Sequence, residues 1–262
     1  MKKIFDKGSG PAIVVVQPLQ GRWQWMRRFL DALAERCRVI TYTLCGDLGA
    51  DRSLDVSLGF DAYVQQLKDV IDRVGLERTA LCGISFGGTV ATRYAALYPE
   101  RVTHLIIASS PGPGWKANAE QATYIARPFV TLPIFLWAAF RRLSAELTAA
   151  FPRAIDRVAF VGRHSLLALR YPALPHLMAK RVRMMQSVDL AADCSRISAS
   201  TLVVTGEPSL DLVVPVESTR RYLSHIRGSR YEVMERTGHS GSLTQPQRLA
   251  SLVSDFIHGD HS

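Results

Sequence analysis

The chain holds only four cysteines in 262 residues, and no two of them form a C-x-x-C pair. Cys37, Cys45, Cys82 and Cys194 are scattered, so neither a zinc site nor a disulfide framework is expected. They read as reduced, mostly buried thiols of a cytoplasmic protein. Long hydrophobic runs are missing as well. The most apolar stretch, residues 128–140, is too short to span a bilayer, contains Pro133 and ends at Arg141 and Arg142. The first eight residues carry lysines but no apolar run, so no secretory signal peptide is expected. Acidic charge is the scarcer sign, with 23 Asp+Glu against 32 Lys+Arg and a net charge of +9. The basic residues are dispersed and no nucleic-acid-binding signature accompanies them, so a solvated basic surface is expected rather than a nucleic-acid interface.

What is present is a core former. Hydrophobic residues make up 47% of a chain long enough for one large α/β domain or for a core with an insertion. Residues 12–16, AIVVV, form a short continuous apolar run, the pattern of a strand buried on both faces of a parallel sheet. Similar runs occur at 38–42, 79–84, 102–108, 201–205 and 230–234. Between them lie segments of helical spacing at 23–36, 60–74, 89–97, 216–225 and 246–257. In the first of these, Trp25, Phe29, Leu30 and Leu33 share one side, which predicts core packing for all four. Short apolar strands alternating with amphipathic helices predict an α/β fold with a doubly wound, mostly parallel sheet.

The alternation stops at residues 111–195, where helical material rich in Phe, Leu, Trp and Tyr is punctuated by five prolines, from Pro128 to Pro175. The expected organisation is therefore a core of residues 1–110 and 196–262 with an inserted helical cap at 111–195.

At the end of the 79–84 run lies Gly83-Ile84-Ser85-Phe86-Gly87, a G-x-S-x-G pentapeptide followed directly by a helical segment. A strand that turns sharply into a helix needs glycines around the turn and projects the serine hydroxyl above the sheet edge. A serine hydroxyl is a weak nucleophile at neutral pH; it needs a histidine base, and the base needs a carboxylate to orient it. Two later strands supply both. The run 201–205 leads into a loop holding Glu207 and Asp211, and the run 230–234 leads into a loop holding His239. Each candidate follows a parallel strand, so all would reach the carboxyl edge of the sheet. The other six histidines lack that placement: His104 is mid-strand, His164, His176 and His225 are in helical surroundings, and His258 and His261 are near the end. Glu207 competes with Asp211, because it follows the same strand more closely.

In the order Ser85, Asp211, His239, the chain resembles the α/β-hydrolase superfamily, in particular its cap-bearing serine esterases and related hydrolases. The sequence from Tyr98 to Val102 is similar to the family's connection into the next strand, and Gly238-His239 with Gln245-Pro246 is similar to its histidine loop. The resemblance favours Asp211 as the acid. It implies an oxyanion hole made by the N–H of Phe86 and an N–H from the loop after residues 12–16. That loop departs from the family pattern: Gln17-Pro18-Leu19-Gln20-Gly21 stands where relatives carry His-Gly. Pro18 has no N–H, which leaves Leu19, ahead of Gln20, as the second donor. Gln17 would brace the loop in the missing histidine's place. The loop Cys45-Gly46-Asp47 departs as well, from a more usual His-Gly-Ser type.

The resemblance implies cleavage of small to medium apolar carboxylic esters through an acyl-enzyme, with no metal or organic cofactor, a small molecule as substrate and the oligomeric state left open. Two alternatives remain open: hydrolysis of a carbon–carbon bond in a vinylogous diketone by the same triad, and a ligand-binding scaffold with little turnover. Trp115 and Trp137 are the candidate substrate-binding residues of the cap.

Overall fold

A computed structural model describes residues 4–259; His261 and the first three residues lie outside them. The order begins β1 (Ile4–Lys7), β2 (Ala12–Val16), α1 (Arg27–Leu33), β3 (Arg38–Tyr42), α2 (Asp61–Arg73), β4 (Thr79–Ile84), α3 (Phe86–Leu97) and β5 (Val102–Ala108). Helices alone follow: α4 (Ala119–Ala126), α5 (Leu132–Ala150), α6 (Ala154–Arg170), α7 (Pro175–Met185) and α8 (Leu190–Cys194). The chain closes with β6 (Ser200–Thr205), α9 (Val216–His225), β7 (Arg230–Val233), α10 (Gly241–Thr244) and α11 (Pro246–Gly259).

The strands form one sheet in the order β1-β3-β2-β4-β5-β6-β7. All neighbours are parallel except β1, which runs antiparallel to β3. The fold is a doubly wound α/β sheet. On one face α1 and α11 pack Phe29, Leu30, Leu33, Val253 and Ile257 against the strands. On the other, α2, α3, α8 and α9 contribute Leu67, Ile71, Val90, Tyr94, Leu190 and Tyr222. Every residue of β4 is buried, which matches its continuous apolar run between two helical layers. Among the described residues no helix is long and apolar enough to cross a membrane.

Three details differ from expectation. The antiparallel edge strand β1 has only Ile4 and Phe5 as apolar residues, too few for a pattern, and its inner half alone is partly covered. The helix expected at 23–36 is a 3₁₀ turn, Trp23–Met26, followed by α1, which ends at Leu33. That turn has three residues per revolution rather than 3.6, so Trp25 leaves the core stripe and Met26 takes its place. Trp25 is half-buried instead, and its indole N–H donates to the Tyr171 carbonyl at 3.0 Å. Finally, α3 starts directly after Ser85 rather than at Thr89.

Candidate active site

Ser85 joins β4 to α3 with φ 53° and ψ −120°, a conformation that a side-chain-bearing residue holds only when its surroundings fix it. Its N–H donates to the Ala108 carbonyl of β5 at 2.8 Å, and its carbonyl accepts from the Gly88 N–H at 2.9 Å. The flanking glycines are required by space. A Cβ on Gly83 would strike the Gly87 carbonyl, and one on Gly87 would strike the carbonyls of Val16 and Gln17. The turn thereby brings the start of α3 against the loop that follows β2, and it aims the serine hydroxyl at His239.

The Ser85 Oγ lies 3.1 Å from His239 Nε2, and His239 Nδ1 lies 3.3 Å from Asp211 Oδ2. With the Nδ1 proton donated to the carboxylate, Nε2 presents its lone pair to the serine hydroxyl. Asp211 is buried; its other oxygen accepts from the Val213 and Val214 N–H groups at 3.1 and 3.0 Å. Those bonds fix the carboxylate and leave Oδ2 for the imidazole. Burial works to lower the imidazole's proton affinity, but the charges of Asp211 and Glu146 outweigh it and hold His239 above the ordinary value. Glu207, the rival acid, turns the other way. Its Oε1 accepts from the Arg236 N–H at 2.5 Å, and its own N–H donates to the Thr237 carbonyl at 2.8 Å, so it braces the histidine loop. Gln245 braces the same loop by donating to the carbonyls of Glu235 and Arg236.

The loop after β2 is pinned from both ends. Gln17 is fully buried, and its amide donates to the Thr41 hydroxyl and to the Val15 carbonyl. The Gly21 N–H closes a turn onto the Pro18 carbonyl at 2.9 Å, with Gly21 at φ 71°. Leu19 is held through its carbonyl, which accepts from Arg181 Nη1 at 2.9 Å. The backbone N–H groups of Leu19 and Gln20 donate to no acceptor among the described residues. Arg181 comes from α7 and has no exposed side-chain surface, and it pairs with the equally buried Asp47. Burial pushes the Asp47 carboxyl up, against the pull of Arg181. The unusual Cys45-Gly46-Asp47 loop thus supplies the counter-ion for an arginine that holds Leu19 in place.

The two tryptophans stand apart from this cluster. Trp115 lines a cavity of about 300 Å³ with Lys116, Met185 and Leu190, and neither Ser85 nor His239 borders it. Trp137 is 67% exposed and stacks on Phe140 along the outer face of α5. His104 packs on Phe256, His164 on Phe160 and His176 on Phe129, all as ordinary packed rings. His225 and His258 each bond a backbone carbonyl four residues earlier in their own helix. All four cysteines are buried and free. Sequence reasoning missed Glu146, Arg181 and Asp47, since only the folded chain brings them beside the loops they hold.

The model of the alpha/beta hydrolase family matches residues 13–252. The chain is 27% identical to a 2-hydroxy-6-oxo-2,4-heptadienoate hydrolase of Pseudomonas putida, over 97% of this chain and 91% of that one. It is also 27% identical to a pimeloyl-[acyl-carrier protein] methyl ester esterase of Nitrosomonas europaea, over 95% of this chain and 96% of the other. A solved hydrolase from Pseudomonas aeruginosa shares the fold with a TM-score of 0.75 at 22% identity, covering 97% of this chain and 93% of that one.

Proposed function

The chain belongs to the α/β-hydrolase family, and from that premise we propose that it is a serine hydrolase cleaving small to medium apolar carboxylic esters. The observation that carries this reading is the hydrogen-bonded chain from Ser85 through His239 to Asp211, mounted on a strained turn at the end of β4. Ser85 attacks the ester carbonyl while His239 Nε2 takes the hydroxyl proton. Asp211, fixed by two backbone donors, stabilises the imidazolium that forms. The developing oxyanion lies between the N–H groups of Phe86 and Leu19. His239 then protonates the departing alcohol, leaving an acyl group on Ser85, and a water deprotonated by the same imidazole releases the acid. Residues 111–195 act as a cap over this edge of the sheet and select the acyl group.

A second reading is favoured by the name of one relative, whose substrate is a dienoate carrying a keto group. There the same residues would cleave a carbon–carbon bond next to a carbonyl. One panel separates the two: p-nitrophenyl esters of increasing acyl length alongside a 2-hydroxy-6-oxo-dienoate, with wild type and Ser85→Ala. The ester reading expects turnover of the esters that Ser85→Ala lacks. Turnover of the dienoate alone would move the assignment to carbon–carbon hydrolysis, and turnover of neither by folded protein would favour a binding scaffold.

A further inference from the structure

Glu146 belongs to α5, far from any strand end, yet its carboxylate ends inside the histidine loop. It is 2% exposed. Its Oε2 accepts from the Ser240 N–H at 3.0 Å, and its Oε1 accepts from the Thr244 hydroxyl at 2.8 Å. Gly238 lies close to the same carboxylate: a Cβ there would come within 2.9 Å of Oε2. The donors therefore come from the residue immediately after His239 and from α10. Three residues further along α5, the Ala149 carbonyl accepts from Arg236 Nε at 2.7 Å. The last turns of α5 thus hold the histidine loop at both ends.

Burying a carboxylate is unfavourable unless donors replace its water. Here every donor to Glu146 comes from the histidine loop or α10 and none from its own helix, so the seating of α5 and the conformation of the loop depend on one another. The imidazole is hydrogen-bonded by Ser85 from the turn after β4 and by Asp211 from the loop after β6. Glu146 from α5 bonds the next residue, Ser240, and its charge helps raise the imidazole's proton affinity. Two carboxylates from separate elements therefore act on one base.

We propose that Glu146 is a positioning residue that locks the histidine loop to the helical segment and adds its negative charge to that of Asp211 on the His239 imidazolium. This rests on the serine-hydrolase reading above. The segment between β5 and β6, assigned above to selecting the acyl group, would then contribute directly to the readiness of the base.

The test is the rate of Ser85 labelling by a fluorophosphonate probe as a function of pH, which needs no knowledge of the substrate. The variants separate charge from position. Glu146→Gln keeps an oxygen for the Ser240 N–H and an amide for the Thr244 hydroxyl, but it removes the charge. Without that charge the imidazole holds its proton less tightly, so the acid limb of the profile should move to lower pH by roughly half a unit, a threefold change in proton affinity. Thr244→Val leaves every charge in place and loosens one anchor, so its plateau rate should fall several-fold while the limb stays. An unmoved limb in folded Glu146→Gln, or, where that variant melts too low to assay, an unchanged plateau in Thr244→Val, overturns the proposal. Wild-type protein that is folded but unlabelled would instead overturn the serine-hydrolase reading itself.

Discussion

The sheet and the helical segment 111–195 are built by different rules. In the sheet, apolar side chains are consumed by packing: all of β4 is buried, and Val14, Val16, Leu105 and Ile107 have no exposed surface. In α5 and α6 the reverse holds. Ile134, Leu136 and Phe140 on α5, and Ile155, Val158, Leu166 and Leu169 on α6, are all more than half exposed. Val182, Met185, Leu190 and Cys194 of α7 and α8 still pack into the core, and buried charged groups add further anchors. Glu146 seats α5 on the histidine loop, Arg181 seats α7 on Leu19 and Asp47, and Asp193 of α8 pairs with Arg93 of α3. Apolar burial specifies the sheet over its whole area, whereas in the helical segment a few directional contacts join the apolar packing of α7 and α8 in setting where the helices sit. Two of those contacts fall on the loops that carry the candidate base and the candidate oxyanion donor.

The largest effect expected from breaking this scheme lies on the sheet side. Asp211→Asn preserves shape but removes the charge facing the imidazole, and the catalytic rate constant should fall by about 10⁴, the scale known for such a change in a triad. Glu207→Gln touches only the brace on Arg236 and should cost far less. Steady-state kinetics on any ester that turns over, with both variants checked for folding, would transfer the acid role to Glu207 if the losses came out reversed.

On the helical side the comparison predicts a sharp internal contrast. Arg181→Met leaves Asp47 buried without its counter-ion and should cost about 3–5 kcal/mol of stability in denaturant titration. Replacing Asp47 by Leu in the same chain should recover most of that loss, because the uncompensated charge is then gone. Trp137→Ala, by contrast, alters an exposed ring and should stay within about 0.5 kcal/mol of wild type. Comparable losses for Arg181→Met and Trp137→Ala would mean that the outer apolar face of α5, rather than the buried charges, holds the segment in place.

The same contrast explains which features are legible in the amino-acid sequence. Short strand-like runs alternating with helical segments made six of the seven strands and the doubly wound class legible. Ser85 and the loops that carry Asp211 and His239 were legible as candidates because each comes after such a run and strand ends in a parallel sheet converge; the choice of Asp211 over Glu207 rests on the family resemblance. The first strand was not, because Ile4 and Phe5 alone carry no pattern. Trp25 was misplaced by assuming α-helical spacing through a 3₁₀ turn. Glu146 and the Arg181–Asp47 pair were out of reach for a different reason. Glu146 is 94 positions from Ser240, and Arg181 is 134 from Asp47, and in an isolated helix each looks like any solvated charge. The residues that surround a site are set by tertiary docking, which leaves no local periodicity behind.

The central claim is that Ser85 is the residue that becomes acylated, and peptide mapping after fluorophosphonate treatment tests it most directly. The account predicts one adduct, on the peptide carrying Ser85, absent from Ser85→Ala and strongly slowed in His239→Ala. An adduct on any other serine, or equal labelling of the Ser85→Ala protein, would contradict it.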